Sequence, residues 1–285
     1  MDELNNLFLK YIEEGFYPGI QWQINIKNKV LSGKVGFNNL ESKIPIKENA
    51  IYRIWSMTKP VIAVAAMQLI EQNKINLNDP ITKYLPEFSN LKVLTNQNGP
   101  IQEVENLKRI PTIKELFLHT AGFSYNFLAD PVGKEYDRTR LFNSDFTSLE
   151  EEINILSKTP LLFQPGTSWR YSVSMDILAR ILEVVENNSL QHILKEKIFI
   201  PLKMYETDFI ISENESNRVM QSYEYDPINN KLTKLISDSQ KIGNYAYPLH
   251  EKNYARGGHG LFSTINDYAI FAKMLHDGKT KDGQN

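Results

Sequence analysis

The stretch Ile51-Tyr52-Arg53-Ile54-Trp55-Ser56-Met57-Thr58-Lys59-Pro60 changes its hydrophobic period in the middle. Residues 51–55 are dominated by β-branched and aromatic side chains, which fits a short buried strand that stops at Ser56. Residues 57–73 (MTKPVIAVAAMQLIEQN) then follow helical spacing, with alanines giving small faces suited to burial. Pro60 falls in the first turn, where its missing N–H is tolerated. A strand that turns at Ser56 straight into a buried helix is the seed of the fold. The same turn sets Ser56 and Lys59 at positions i and i+3, neighbours on one helical face.

Outward from that seed, residues 1–14 read as an amphipathic helix with Leu4, Leu7, Phe8 and Ile12 on one face. Residues 20–26 (IQWQINI) and 30–37 (VLSGKVGF) alternate and are joined by Lys27-Asn28-Lys29, which predicts a hairpin. Downstream, Asp79-Pro80 and Leu85-Pro86 punctuate an irregular stretch. Thr112 and Glu115 form a capping box for a helix over 112–118, followed by a loop over 121–130. Further helices are expected over 148–158, over 172–186 with its stripe of Ile177, Leu178, Ile181, Leu182 and Val185, and from Ser189 to about 198. Residues 221–226 and 232–235 suggest a small hairpin, and 266–276 a last helix with Asn266 near its cap. Trp22 and Trp55 are expected in the core of the sheet.

No internal repeat or linker divides the chain, so one domain over 1–285 is expected. Its class is α+β: an antiparallel sheet flanked by helices, from 1–75 and about 255–285, with a mostly helical region inserted over about 76–254.

Composition removes several functions. Thirty-two Lys and Arg against 34 Asp and Glu leave a formal charge of −2, without the basic surplus of a nucleic-acid binder. Cysteine is absent, which excludes thiolate nucleophiles and Cys-based metal sites and turns the search for a nucleophile onto serine. The histidines at 119, 192, 250, 259 and 276 show no His-x-His or His-x-x-x-His pairing, so no metal or other cofactor is expected. The apolar run 61–70 is interrupted by Gln68 and too short for a bilayer, and the acidic first residues lack the pattern of a secretory leader. The expectation is a cytoplasmic protein with no membrane or nucleic-acid partner; oligomeric state is not legible.

A serine hydroxyl attacks a carbonyl only when a base takes its proton. An amine desolvated beside a helix N-terminus can serve, and the same helix end aims backbone N–H groups at a nascent oxyanion. Ser56 and Lys59 fit that description; the same spacing also fits an N-capping serine with a solvated lysine nearby. Ser89 to Lys92 is an internal control: it has the same spacing but follows Pro86 in a stretch without helical period. A second element, Pro165-Gly166-Thr167-Ser168-Trp169-Arg170-Tyr171-Ser172, is a turn entering a helix with Tyr171 at its mouth. A phenol held near an ammonium can act as general base and later as general acid. A core-packing tyrosine at a helix start is the alternative.

Five stretches in order carry a resemblance: Ser56-Met57-Thr58-Lys59-Pro60, Leu118-His119-Thr120-Ala121-Gly122-Phe123, Pro165-Gly166 through Tyr171-Ser172, Pro201-Leu202-Lys203-Met204, and Gly257-Gly258-His259-Gly260-Leu261-Phe262-Ser263-Thr264. Together they span nearly the whole chain. The sequence resembles the serine β-lactamase-like hydrolases of the class C and penicillin-binding type, in particular their esterase branch. The resemblance implies Ser56 as acylated nucleophile, Lys59 as its proton partner and Tyr171 as second base. Val173 stands where many β-lactam-processing members carry an asparagine, which favours an ester-cleaving relative.

Tyr125 and Phe127 are candidate substrate-binding residues that would line an acyl pocket. His119 reads as a turn-stabilising residue, and His259 is placed at the rim rather than among the catalytic groups. The family's third motif, on a strand beside the nucleophile, has only Lys279-Thr280-Lys281 as a lookalike, without the glycine. The expectation is therefore an incomplete form of the fold, with C-terminal strands missing, one oxyanion donor short and weakly active. The expected function is a serine hydrolase of small carboxylic esters acting through an acyl-enzyme on Ser56. The alternatives are a β-lactamase or D-alanyl-D-alanine peptidase of the same fold, or a catalytically impaired binding or scaffold protein.

Overall fold

The computed structural model describes residues 2–27, 29–141, 147–234 and 255–278. Helix α1 (Asp2–Glu13) lies on a hairpin of β1 (Gly19–Ile26) and β2 (Lys29–Asn39), with β3 (Ile44–Pro45) added on the far side. Ile26 pairs with Lys29 and Gly19 with Gly36, so the register runs unbroken along β1. Trp22 faces α1, where its indole N–H donates to Asn5 Oδ1 at 2.9 Å and its ring meets Phe8. The alternation read in the sequence thus gives the hairpin as expected, one residue longer at the start of each strand.

Strand β4 (Ile51–Arg53) stops two residues earlier than the apolar run suggests. Trp55 adopts φ +46°, a left-handed conformation that costs a non-glycine residue about 1–2 kcal/mol, and opens a 3₁₀ turn over Trp55–Met57. Trp55 is therefore half-buried beside the turn that carries Ser56 and is not a core residue of the sheet, a correction to the sequence reading. Helix α2 (Thr58–Glu71) follows directly and buries Val61, Ile62, Ala65, Ala66 and Leu69. Each such aliphatic burial larger than alanine contributes about 1.5–3 kcal/mol.

The central region runs through β5 (Lys92–Leu94), β6 (Val104–Asn106), α3 (Ile113–Leu118), α4 (Pro131–Arg138) and α5 (Leu149–Leu156) to α6 (Ser174–Glu186). The capping box at α3 is present: the Thr112 N–H donates to Glu115 Oε2 at 2.9 Å. On α6, which packs on α2, four residues of the predicted stripe, Ile177, Leu178, Ile181 and Leu182, are fully buried, while Val185 at its end is only partly buried. Ser189 caps α7 (Leu190–Leu194), which continues through a π turn into α8 (Ile200–Leu202). The hairpin of β7 (Tyr223–Asp226) and β8 (Lys231–Lys234) forms as read, although Leu235 lies outside the described residues.

Strand β9 (Phe262–Thr264) returns antiparallel to β4, and α9 (Ile265–Asp277) closes the described chain. Its N-cap is Thr264, which accepts the Asp267 N–H; Asn266 already lies inside the helix. One hydrophobic cluster extends from Ile54, just before Ser56, to Phe271 on α9. The architecture is α+β, with small antiparallel sheets and helices packed around them. Lys279-Thr280-Lys281 and His250 lie outside the described residues. No helix among the described residues is long and apolar enough to cross a membrane.

Candidate active site

The β4–α2 turn is pinned to the strand before it closes the site. Ile54 N–H donates to the Leu261 carbonyl at 3.0 Å, and Leu261 N–H donates to Thr58 Oγ1 at 3.3 Å. Ser56 is left exposed on this turn, ahead of the N-terminal end of a 14-residue helix. That end carries the positive pole of the helix dipole. Lys59, one turn on, is buried; its Nζ donates to Ser56 Oγ at 3.1 Å and to the Gly258 carbonyl at 2.6 Å. The spacing of three residues thus delivers the contact that helix geometry promises.

The control pair behaves differently. Ser89 Oγ donates to the Pro86 carbonyl, and Lys92 Nζ reaches across to Asn106 Oδ1 on β6. Without a helix beneath them, the two side chains take separate partners.

Tyr171 comes from 115 residues away and is held by its backbone neighbours. Arg170 N–H donates to the His119 carbonyl at 3.0 Å, Ser172 N–H to His119 Nδ1 at 3.2 Å, and Val173 N–H to the Ser124 carbonyl at 3.1 Å. His119 itself sits at φ +55° at the end of α3, so it is the turn-stabilising residue the sequence suggests. Burial, with the Lys59 cation adding to it, lowers the His119 pKa to about 4, so the ring is neutral and Nδ1 can accept. Held in this way, Tyr171 Oη lies 2.7 Å from Ser56 Oγ and donates to it. The Lys59 ammonium also lies over the Tyr171 ring, 4.7 Å from its centroid.

A cavity of about 240 Å³ opens over these three residues, lined also by Trp55, Tyr125, Phe127, Gly258 and His259. Tyr125 and Phe127 stack at 4.9 Å and 19° but differ in exposure, 2% against 58%. Tyr125 is therefore a buried wall and Phe127 a lip. His259 is buried and stacks on Trp55 at 6.3 Å. Burial, then the charges of Arg256 and Lys59, hold its pKa well below the usual histidine value, so it lines the site as a neutral ring. On the other side of Trp55 a larger groove, about 770 Å³, runs between β1 and α9; Ser56 does not line it. Among the described residues no group of His, Asp and Glu is arranged to hold a metal ion.

The ordered pieces around Ser56 match a known protein family over residues 4–285, under the description Beta-lactamase. The chain belongs to the beta-lactamase family. Among curated relatives of this beta-lactamase family chain, an uncharacterised protein of Mycobacterium tuberculosis is 31% identical over 273 residues, covering 95% of this chain and 65% of the relative. The chain thus spans about two thirds of that relative's length. Esterase EstB of Burkholderia gladioli is 30% identical over 184 residues, 63% of this chain and 44% of that protein. Among solved structures, EstCE1, described as a hydrolase with promiscuous acyltransferase activity, superposes with TM-score 0.82 at 24% identity, covering 99% of this chain and 74% of that one. Simvastatin synthase of Aspergillus terreus superposes at 0.78 with 22% identity over 96% of this chain and 67% of that one. These two likenesses show the shared β-lactamase-type fold.

The structure brings together all five residues singled out in the sequence: Ser56, Lys59, Tyr171, Tyr125 and Phe127. It moves His259 from the rim, where the sequence reading put it, to a buried wall, and adds two groups that reading left aside: the Gly258 carbonyl and Asp176 beneath them. Asp176 is 1% exposed and accepts the Gly258 N–H on Oδ1 at 2.9 Å. In the sequence it reads only as an acidic residue in the first turn of a helix, where the dipole favours it anyway. The Gly257-Gly258 pair was the available signal. A Cβ on Gly257 would stand 2.0 Å from the Met175 carbonyl, and one on Gly258 would stand 2.5 Å from Asp176 Oδ2.

Proposed function

We propose that this chain carries the reaction centre of a serine hydrolase that cleaves small carboxylic esters through an acyl-enzyme on Ser56. One observation carries the reading: Ser56 Oγ is exposed to a cavity while hydrogen-bonded to both Tyr171 Oη at 2.7 Å and Lys59 Nζ at 3.1 Å. A hydroxyl in that position has two proton-transfer partners within reach and an open face for the substrate.

In the proposed reaction the Ser56 hydroxyl proton passes to the Lys59–Tyr171 pair as Oγ adds to the ester carbonyl carbon. Both groups reach Ser56 Oγ and lie against each other, so the pair together is taken as the proton acceptor. The oxyanion that forms is stabilised by the N-terminal end of α2. The bond to the alcohol oxygen then breaks, and the pair returns its proton to that leaving group. Water repeats the addition at the acyl carbon, releasing the acid and restoring Ser56. The acyl group would lie between Tyr125 and Phe127, and the cavity of about 240 Å³ suits a small one.

Val173 is completely buried and offers no amide toward the cavity, which supports esters over β-lactams or D-alanyl peptides. The assembled Ser56, Lys59 and Tyr171 likewise weigh against a non-catalytic scaffold. Transfer of the acyl group to an alcohol instead of water is the second reading, supported by relatives named both esterase and acyltransferase. The test is a stopped-flow assay with p-nitrophenyl acetate and butyrate. A burst of one nitrophenolate per chain, absent in Ser56→Ala, is expected; nitrocefin turnover outpacing ester turnover would overturn the ester assignment.

A further inference from the structure

Behind the reaction centre lies a set of buried charges that the proposed steps do not use. Asp176 on α6, Glu152 on α5 and Arg256 are all buried, and Arg256 Nε lies 3.4 Å from Glu152 Oε2. Asp176 Oδ1 accepts the Gly258 N–H at 2.9 Å, and the carbonyl of that same glycine accepts from Lys59 Nζ at 2.6 Å. Its other oxygen, Oδ2, is buried without a hydrogen bond. An ionisable group left half-satisfied in the interior costs stability, so its retention calls for a gain elsewhere.

We propose that Asp176 is a positioning residue for Lys59: through the Gly258 peptide it fixes the carbonyl that anchors the amine, and its charge faces that amine across the same peptide. The inference rests on the ester-hydrolase reading above for its kinetic consequence, though not for the contact itself. Gly258 is the only link in the relay that a side chain could disturb from within. A Cβ there would stand 2.5 Å from Asp176 Oδ2 and 2.6 Å from the Tyr125 hydroxyl oxygen. The peptide is thus clamped between the carboxyl on one side and the ammonium on the other.

The charged and titratable groups that bear on Asp176 are Glu152 from α5, Lys59 from α2, Arg256 from the segment before Gly257, and the Tyr125 hydroxyl, with neutral His259 beyond Gly258. Burial, reinforced by the Glu152 charge, raises the Asp176 pKa to about 6, against the pull of Lys59, the Gly258 N–H and Arg256. Asp176 therefore changes charge just below neutral pH. An ionised Asp176 attracts a cation across the Gly258 peptide; a neutral acid does not.

Two measurements test this, one independent of turnover. In the first, the ¹³Cγ resonance of Asp176 is titrated in the wild type and in Lys59→Met, with assignment by its loss in Asp176→Asn. Removing the cation is expected to move the Asp176 midpoint upward by about one pH unit, the order expected for charges linked across one peptide. In the second, the acid limb of the burst rate is followed against pH. Asp176→Asn, which keeps the acceptor for Gly258 but not the charge, is expected to move the limb to lower pH by about the same amount. Asp176→Ala, which removes the acceptor, is expected to lower kcat about tenfold with KM unchanged, an effect that asparagine largely restores. A shift in the Asp176 midpoint without any ester burst would sink the hydrolase reading and leave the Asp176–Lys59 link standing. An unmoved midpoint, or a burst whose pH limb is the same in Asp176→Asn, would overturn the inference itself.

Discussion

Replacing Tyr171 by phenylalanine tests the proton path at one atom. The ring contacts of Tyr171, to His119 at 5.0 Å and Tyr125 at 5.3 Å, survive the change. Only the hydroxyl 2.7 Å from Ser56 Oγ is lost. One hydrogen bond at a partly exposed position contributes about 1 kcal/mol to stability, so the melting temperature should fall by a few degrees at most. A group that transfers a proton in the transition state is worth about 10²–10⁴ in rate, or about 3–5 kcal/mol of barrier at 1.36 kcal/mol per decade. The hydroxyl contacts Ser56 Oγ, the proposed nucleophile, rather than the proposed acyl wall, so KM should stay within a few-fold. The assay is kcat and KM for p-nitrophenyl butyrate, with urea denaturation run in parallel. A Tyr171→Phe variant that folds normally and keeps kcat within about threefold of wild type would refute the idea that Tyr171 moves the proton. Lys59 would then be the base alone.

Three further outcomes follow from the same geometry. Ser89→Ala, at the second Ser-x-x-Lys spacing, should leave ester kinetics unchanged within about twofold, because that serine bonds only its own turn; a large loss there would undo the distinction between the two pairs. Gly258→Ala should destabilise by about 1–3 kcal/mol through overpacking against Asp176 and Tyr125, and should lower kcat more than it lowers the denaturation midpoint suggests; unchanged kinetics in a folded variant would show the relay to be idle. For His119, burial first and the Lys59 charge second lower the folded-state pKa to about 4. Between about pH 6.5 and 4 the unfolded chain therefore binds a proton that the folded chain refuses, so stability falls with pH across that window. His119→Asn, which tolerates the left-handed backbone, should show a shallower fall in urea midpoint over the same window; an identical slope would mean that His119 is not held neutral.

Legibility in the sequence followed locality. The Ser56–Lys59 contact could be read because a helix fixes the distance between i and i+3 whatever surrounds it. The β1–β2 hairpin and the α6 stripe were legible for the same reason, since period 2 and period 3.6 are properties of the backbone. Tyr171 was legible only as part of an ordered set of stretches, because nothing local says that a residue 115 positions away meets Ser56. Trp55 lies outside the strand because an apolar run does not reveal where a strand ends: β4 stops at Arg53 and the chain turns at Trp55 with φ +46°. The same uncertainty at element ends moved the cap of α9 from Asn266 to Thr264. Asp176 was invisible because its route to Lys59 passes through a backbone peptide, which leaves no mark on side-chain identity. Tyr125 and Phe127 were legible as a pair, but which of them is wall and which is lip depends on burial alone.

The most direct test is the covalent intermediate. The chain should be quenched in acid milliseconds after mixing with p-nitrophenyl butyrate, digested, and measured by mass spectrometry. The account predicts one butyryl group on the peptide containing Ser56, formed at the burst rate and absent in Ser56→Ala. Ester turnover that persists in Ser56→Ala, or an acyl group found on another residue while Ser56 stays free, would contradict it.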